Sequence, residues 1–143
     1  MLQNRGSWFV LEEGHPNAFG PAKRPFHTII PAALLESSGR WTAVFGVTGG
    51  QFQPQGHVQV LVNLLDHGML PQAALDAPRY RLEEGGGVSL EAPLAGLVDA
   101  FDRPAAVVDD ESNYGNAHLI WRRPGGLLLG ATEPRRDGVA LGM

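Results

Sequence analysis

The chain has 143 residues and a net charge of −4, with 43% hydrophobic and 18% charged residues and no cysteine. This length and composition predict one globular domain over residues 1–143 and exclude a disordered chain. The acidic balance gives no basic face for nucleic acid, the lack of cysteine excludes disulfides and thiolate metal sites, and no apolar run approaches the roughly 20 residues of a membrane span.

The first third of the chain predicts strands and one long loop. Residues 1–10 have an apolar residue already at Leu2 and end in the apolar run 8–10, which predicts a strand, and the run 12–25 is rich in proline and glycine, which predicts a loop. Residues 27–35 and 40–47 have strand composition and a hairpin-length connection. Pro31 removes one amide donor, so we expect the first of these strands to lie at a sheet edge or to carry a bulge.

The remainder predicts helices followed by short strands. Apolar residues recur at helical spacing over 54–67 and again over 93–101, and Pro71 opens a short helix that Pro78 ends. The predicted strands are 79–81, 88–90, 105–108, 117–121 and 127–131. Because the helices are grouped between strands, we expect an α+β fold with helices packed on a mostly antiparallel sheet.

Gly49 and Gly50 stand where a predicted strand gives way to a helix. Backbone N–H groups at such a point lack partners, and the helix dipole favours negative charge there. Glycine permits positive φ and close approach by a ligand. Donors fixed in this way stabilise the oxyanion of an acyl transfer. The simpler interpretation is a tight turn without a ligand.

The other polar residues give weaker signals. Histidines are scattered at positions 15, 27, 57, 67 and 118, and no pair has the i, i+4 spacing of metal ligands, so we expect no metal site. His27 and Thr28 follow Lys23 and Arg24, which is compatible with a carboxylate site or with ordinary strand residues beside solvated cations. Thr48 lacks the local motif of a nucleophile.

Three long segments carry a resemblance to a known family. They are GHPNAFGPAKRPFHTIIP, TGGQFQPQGHVQVLVNLLDHGMLPQAALDAPRYR and GNAHLIWRRPGGLLLGATEPRRDGVALGM. In the order of their glycines, prolines and glutamines, they closely resemble the small subunit of γ-glutamyltransferases. The resemblance implies an N-terminal-nucleophile hydrolase fold, a four-layer αββα sandwich that two subunits from one autocleaved precursor build together. This chain then corresponds to the C-terminal part of the small subunit.

The resemblance also implies a mechanism without a cofactor. In the family, a threonine at the start of the small subunit attacks a γ-glutamyl amide such as glutathione, with its own α-amine as the base. Water or an amino acceptor then resolves the acyl-enzyme. Gly49 and Gly50 match the glycines of the oxyanion hole. His27 and Thr28 match two hydroxyl positions that bind the substrate's α-carboxylate, and only the second is a hydroxyl here.

The sequence departs from the family pattern in two places. The nucleophilic threonine is expected a few dozen residues before Met1, so we expect this chain to be inactive by itself. The acidic pair that holds the substrate's α-amine in the family falls at Ser7 and Trp8, in an NRGSxF segment closer to the acylase branch. We therefore expect Arg5 and Trp8 of that segment to bind substrate, with Trp8 as a flat apolar wall.

These inferences lead to several expectations about partners. The substrate is a small γ-glutamyl or acyl amide, and the missing upstream or large-subunit segment is the protein partner. A sheet left open by that absence predicts a homo-oligomer of the isolated chain.

We expect a soluble protein, with the cytoplasm slightly favoured because no secretory signal is present. Two alternatives stay open: a stand-alone module that binds small anionic or amino-acid ligands, and a decayed fragment.

Overall fold

The computed structural model describes residues 4–142. Two α-helices lie in this range, α1 (Gln53–Leu65) and α2 (Pro71–Asp76). The strands are β1 (Ala32–Leu35), β2 (Trp41–Val47), β3 (Tyr80–Leu82), β4 (Val88–Leu90), β5 (Ala105–Val107), β6 (Ala117–Arg122) and β7 (Leu128–Thr132). Short 3₁₀ helices cover Arg5–Trp8, Gly50–Phe52, Ala92–Ala100 and Glu111–Tyr114.

The main sheet has the strand order β1-β2-β6-β7, and each neighbouring pair is antiparallel. Side chains alternate between its two faces, as the period of a strand requires. On β2, Ala43, Phe45 and Val47 are buried, whereas Val44 between them is exposed. The buried residues lie on the face that α1 and α2 cover, so this face holds the core.

Helix α1 packs closely against the sheet at Gly56. Phe52, Val60 and Leu64 belong to the same buried cluster as Phe45 and Leu119 of the strands. Gly56 makes this approach possible, because a Cβ there would lie 2.7 Å from Cγ1 of Val47 and 2.9 Å from Cε1 of Phe52. The helical period predicted from sequence is confirmed, and burial of its apolar stripe is what holds the helix in place.

The opposite face of the main sheet is open. Ala33, Val44, Ile120 and Leu128 are all exposed, and they belong to four neighbouring strands. Residues 140–142 line a pocket with Ile120 and Leu128 at one end of this face, and neither α1 nor α2 covers it. A contiguous apolar face of this kind marks a contact surface for another layer of protein.

A second, smaller sheet lies beyond α2. Strand β3 pairs antiparallel with β4, and β4 pairs parallel with β5. All three residues of β4 are buried because the strand lies in the middle of this sheet. The parallel pair is the one exception to the antiparallel arrangement among the described strands.

Three sequence predictions need correction. The predicted first strand covered residues 1–10, of which 1–3 lie outside the described part. The remainder is mainly the 3₁₀ helix Arg5–Trp8 and not a strand. Within it, Ser7 Oγ donates a hydrogen bond to the Asn4 carbonyl (2.9 Å). Residues 27–31 are not a strand, since β1 begins after Pro31. The prediction that this strand lies at an edge is confirmed, while its irregularity falls between Leu34 and Leu35. The helix predicted over 93–101 is the 3₁₀ helix Ala92–Ala100.

Candidate active site

The Gly49–Gly50 turn joins β2 to the first helical turn before α1. Gly49 has φ 116° and Gly50 has φ 59°, so both occupy positive φ, and the first value suits glycine alone. Phe52 N donates to the Gly49 carbonyl (3.0 Å), which closes the turn. Among residues 4–142, neither glycine amide donates a hydrogen bond to a protein acceptor. Gly49 is exposed and Gly50 is half-buried, so two unpaired donors lie at the surface.

The start of β6 holds this turn from the side. Thr48 N donates to the Asn116 carbonyl (2.8 Å), and Asn116 N donates to Thr48 Oγ1 (3.1 Å). The neighbouring Gly115 leaves no room for a side chain, because a Cβ there would lie 2.3 Å from the Thr48 carbonyl oxygen. Two segments distant in sequence are therefore fixed against each other at the turn.

A cleft of about 530 Å³ adjoins the turn. Its polar lining residues are Arg5, Thr28, Thr48, Gln53, Asn116 and His118. Its apolar lining comes from 29–31 and from the end of β2 at Phe45 and Val47. Thr48 and Gln53 flank the two glycines in the chain, so the cleft borders the turn, although the glycines themselves do not line it.

The structure brings together only some of the residues predicted from sequence. Arg5 and Thr28 both line the cleft. His27 lies outside its lining, exposed, with its Nδ1 accepting from Ile29 N (3.3 Å). Trp8 also lies outside, with its ring edge-on to Phe26 at 5.8 Å between centroids. The substrate-binding roles of all four residues stay predictions.

Three cleft residues were not identified from the sequence. Gln53 is 8% exposed, and its side-chain amide has no hydrogen-bond partner among the described residues. His118 projects from the open face, with its Nδ1 3.0 Å from Thr132 Oγ1. Asn116 has a buried Oδ1 that lacks a described partner. The alternation of side chains along β6 predicts that His118 points to the open face. No local sequence pattern predicts that Asn116 lines the cleft.

A buried ion pair supports the loop beside the turn. Arg79 and Glu133 are each 1% exposed, and Arg79 Nη2 lies 3.0 Å from Glu133 Oε2. Arg79 Nη1 donates to the carbonyls of Tyr114 (2.9 Å) and Gly115 (3.2 Å), and Glu133 accepts from Ala117 N (2.7 Å). Burial lowers the pKa of the Arg79 guanidinium and Glu133 partly restores it, but an arginine keeps its charge in proteins.

Arg135 extends this pair into a network of two arginines and two glutamates. It binds Glu133 through Nη1 (2.6 Å) and Glu91 through Nε, and it donates to the carbonyls of Leu75 and Ala77 (3.0 Å each). Burial opposes its charge, but Glu91 and Glu133 outweigh burial and raise the pKa of Arg135. The network joins the end of α2 to β4 and to the segment after β7, so it fixes the frame around the site.

The described residues contain neither a cluster of metal ligands nor a membrane-spanning helix. Between residues 4 and 142, no group of three His, Cys, Asp or Glu side chains is arranged to hold a metal ion. In the same range, every helix is too short or too polar to cross a bilayer. The polar groups that face the cleft are therefore amides, hydroxyls, an imidazole and a guanidinium.

Comparison with known proteins identifies the family. The family model for gamma-glutamyltranspeptidase matches residues 1–143. The chain belongs to this family. It is 36% identical to the glutathione hydrolase-like YwrD proenzyme of Bacillus subtilis, over 100% of this chain and 29% of that protein. It is 35% identical to the oxamate amidohydrolase proenzyme of Klebsiella pneumoniae, over 98% of this chain and 28% of that protein.

A solved structure is also similar to this chain in fold and in sequence. The cephalosporin acylase from Bacillus halodurans superposes with a TM-score of 0.83 at 44% identity, over 96% of this chain and 26% of that one. The predicted resemblance and the α+β fold, part of an N-terminal-nucleophile hydrolase sandwich, are thereby confirmed. This member of the gamma-glutamyltranspeptidase family spans less than a third of the length of these three relatives.

Proposed function

We propose that this chain is the C-terminal portion of an amidase or acyltransferase, to which it contributes the oxyanion turn and part of the substrate cleft. One observation carries the proposal. Gly49 and Gly50 hold two N–H groups that no described acceptor uses, at the border of a cleft. Membership of the gamma-glutamyltranspeptidase family supports an amide substrate, such as a γ-glutamyl amide or a related acyl amide.

The chemistry follows from the charge that develops during amide cleavage. Attack on an amide carbonyl places negative charge on its oxygen, and fixed donors stabilise that charge more strongly than they bind the neutral carbonyl. Loss of one such donor costs about 10²–10³ in kcat in known acyl-transfer enzymes. The rigid support of the turn by Gly115 and Asn116 keeps the two amides in place before the reaction.

The chain is proposed to be inactive alone because its cleft lacks an activated nucleophile. Thr28 and Thr48 are the hydroxyl residues that line the cleft. Neither hydrogen-bonds to a histidine, a lysine or a carboxylate among the described residues. A threonine needs such a base for attack. We assign the nucleophile to a partner segment that corresponds to the part of the relatives preceding the matched region.

The open face of the main sheet supports the same assignment. The exposed side chains of Val44, Ile120 and Leu128 form an apolar surface where a second sheet packs in a four-layer sandwich. The partner segment would bury this surface and bring its threonine to the cleft. Without that segment, the same surface favours self-association, so the isolated chain is proposed to be a homo-oligomer.

A chimera tests this function directly. The matched region of the Bacillus halodurans cephalosporin acylase, 26% of its chain, is replaced by this chain, and amide hydrolysis is measured for the chimera and for this chain alone. We expect hydrolysis by the chimera and none by the chain. Gly49→Ala should lower kcat of the chimera by at least about tenfold, because its Cβ would lie 3.2 Å from Gly115 Cα and displace the turn.

Gly39→Ala is the matched control for that variant. Gly39 also has positive φ (82°), and it lies in the exposed hairpin between β1 and β2 with open space around it. Its replacement should leave kcat unchanged. Hydrolysis by the isolated chain, or a folded chimera without activity, would contradict the proposed function.

A further inference from the structure

A pocket of about 400 Å³ lies at the end of the main sheet that is remote from the Gly49–Gly50 turn. It is bordered by the hairpin between β1 and β2, by the end of β6 and by Leu65, the last residue of α1. Strand β2 runs from Trp41 at this pocket to Val47 at the cleft, a span of about 20 Å at the rise of a strand. The pocket is therefore separate from the cleft, and its volume suits a small molecule.

Two indole rings belong to the apolar wall of this pocket. Trp41 begins β2 and Trp121 lies near the end of the neighbouring strand β6, and both side chains are half-buried. Trp121 also packs against the core, which fixes this part of the wall. Aromatic rings bind other aromatic rings, offset or edge-on, more strongly than their buried area alone predicts. The wall therefore favours a planar aromatic group.

The charged residues of the lining are three arginines and one glutamate. Arg40 and Glu36 compensate each other, since Arg40 Nη2 lies 2.7 Å from Glu36 Oε1. Arg122 and Arg123 leave an excess of positive charge at the pocket, although the chain as a whole has a net charge of −4. The lining therefore favours an anionic group beside the indole rings.

Both of these arginines are positioned with donors available. The guanidinium carbon of Arg122 lies over the Trp41 ring, 5.6 Å from its centroid. Stacking of this kind leaves the N–H groups in the guanidinium plane for a carboxylate. The side chain of Arg123 has no partner among residues 4–142. Its backbone is fixed by the turn after β6, where its N–H donates to the Leu127 carbonyl (2.8 Å) and its carbonyl accepts from Gly126 N (3.0 Å).

We propose that this pocket binds a small aromatic carboxylate, with the ring against Trp41 and Trp121 and the carboxylate on Arg122 and Arg123. The combination of the two features carries the proposal. A carboxylate without a ring gains only exposed ion pairs, which are weak, and a neutral ring leaves the arginines unused. An aromatic cation is repelled by the two arginines. The proposal does not depend on the proposed function, because no step of amide cleavage enters it.

Three probes of nearly equal size test the proposal. They are 2-naphthoate, 2-naphthamide, which lacks the charge, and decahydro-2-naphthoate, which lacks the aromatic ring system. Their binding to this chain is measured by isothermal titration calorimetry. We expect 2-naphthoate to bind at least about fivefold more tightly than the amide, because one exposed ion pair gives up to about fivefold and two arginines contribute. It should bind at least about threefold more tightly than the saturated acid.

The three tryptophans of the chain report where the probe binds. Each indole N–H gives its own signal in a ¹H–¹⁵N spectrum, and single Trp→Phe variants assign the signals. Addition of 2-naphthoate should shift the signals of Trp41 and Trp121. The signal of Trp8, which lies outside the pocket lining, should stay unchanged.

Substitutions assign the selectivity to named residues. Arg123→Gln should reduce the preference for the carboxylate over the amide, and Arg123→Lys should retain part of it because the charge remains. Trp41→Leu should reduce the preference for the aromatic acid over the saturated one. Arg136→Gln removes an exposed cation outside the pocket and should change neither preference. Circular dichroism confirms that each variant is folded.

Several results overturn the proposal. They are equal affinities for the three probes, no saturable binding of 2-naphthoate by the folded chain at millimolar concentration, and shifts confined to the Trp8 signal. An unchanged preference for the carboxylate in a folded variant that carries both Arg122→Gln and Arg123→Gln also overturns it.

Discussion

Two regions of the molecule differ in how their polar groups are paired. Around the end of α2, Arg79 and Glu133 are buried and bind each other and several backbone groups. At the cleft beyond the end of β2, the side chain of Gln53 and the amides of Gly49 and Gly50 lack partners among the described residues. Paired buried charges fix one arrangement of the chain, whereas unpaired donors at a cleft are available to a ligand. The comparison predicts where a substitution damages stability and where it damages function.

The largest expected effect comes from the buried network. Glu133→Ala leaves the charge of Arg79 buried without its carboxylate and removes an acceptor for Ala117 N. The free energy of unfolding should fall by about 3–5 kcal/mol. Urea unfolding followed by circular dichroism measures the change. Glu84→Ala, at an exposed position, should change it by less than about 0.5 kcal/mol, and similar losses for both variants would refute the distinction.

A second pair of variants compares the two faces of one strand. Leu119 and Ile120 are neighbours on β6, but Leu119 is 2% exposed in the core and Ile120 is 43% exposed on the open face. Leu119→Ala should cost about 2–4 kcal/mol because it leaves a cavity. Ile120→Ala should cost less than about 1 kcal/mol in dilute solution. Equal costs would mean that the open face is covered in the folded protein.

The third prediction concerns association through the open face. Val44→Lys and Ile120→Lys place charges side by side, since these residues are paired between β2 and β6. If the isolated chain associates through this surface, the double variant should sediment as a monomer at concentrations where the unchanged chain is oligomeric. A matched change elsewhere, Val58→Lys, alters an exposed residue of α1, on the other side of the sheet, and should leave the oligomer intact. A monomeric unchanged chain would rule out the proposed oligomer.

The smallest expected effect is a pH dependence at the edge of the small sheet. Ser89 Oγ donates to Glu83 (2.6 Å), and this hydrogen bond, with the nearby charge of Arg81, holds the pKa of Glu83 below its ordinary value of 4.5. A depressed folded-state pKa stabilises the protein above the unfolded pKa, and that stabilisation is lost as the pH falls through the folded value. Ser89→Ala should therefore reduce the loss of unfolding free energy at acid pH, which is measured by following the free energy of unfolding as a function of pH.

The control for that prediction is Ser37→Ala. Ser37 is exposed in the hairpin between β1 and β2 and forms no described hydrogen bond. Its replacement should leave the pH dependence of the unfolding free energy as it is in the unchanged chain. If the loss of unfolding free energy at acid pH is the same after Ser89→Ala, Glu83 does not contribute to it.

The sequence determined the elements whose residues repeat with a regular period. Helix α1 and strand β2 follow from the 3.6-residue and two-residue patterns of their apolar side chains, and the Gly49–Gly50 turn follows from two glycines between them. The predicted strand at the start of the chain was wrong because hydrogen bonds within Asn4–Phe9 favour a turn there. Apolar composition alone does not distinguish these conformations.

Only the tertiary structure decided which residues share the cleft and which stabilise the frame. Asn116 meets Thr48 across 68 residues of sequence, and Gln72 of α2 reaches Thr132 across 60. No local sequence pattern predicts such contacts, because they depend on which strands pair and in which register. The same reason explains why Arg79 and Arg135, ordinary charged residues in the sequence, are buried cations in the fold. Local pattern determined the elements, and strand pairing determined the site.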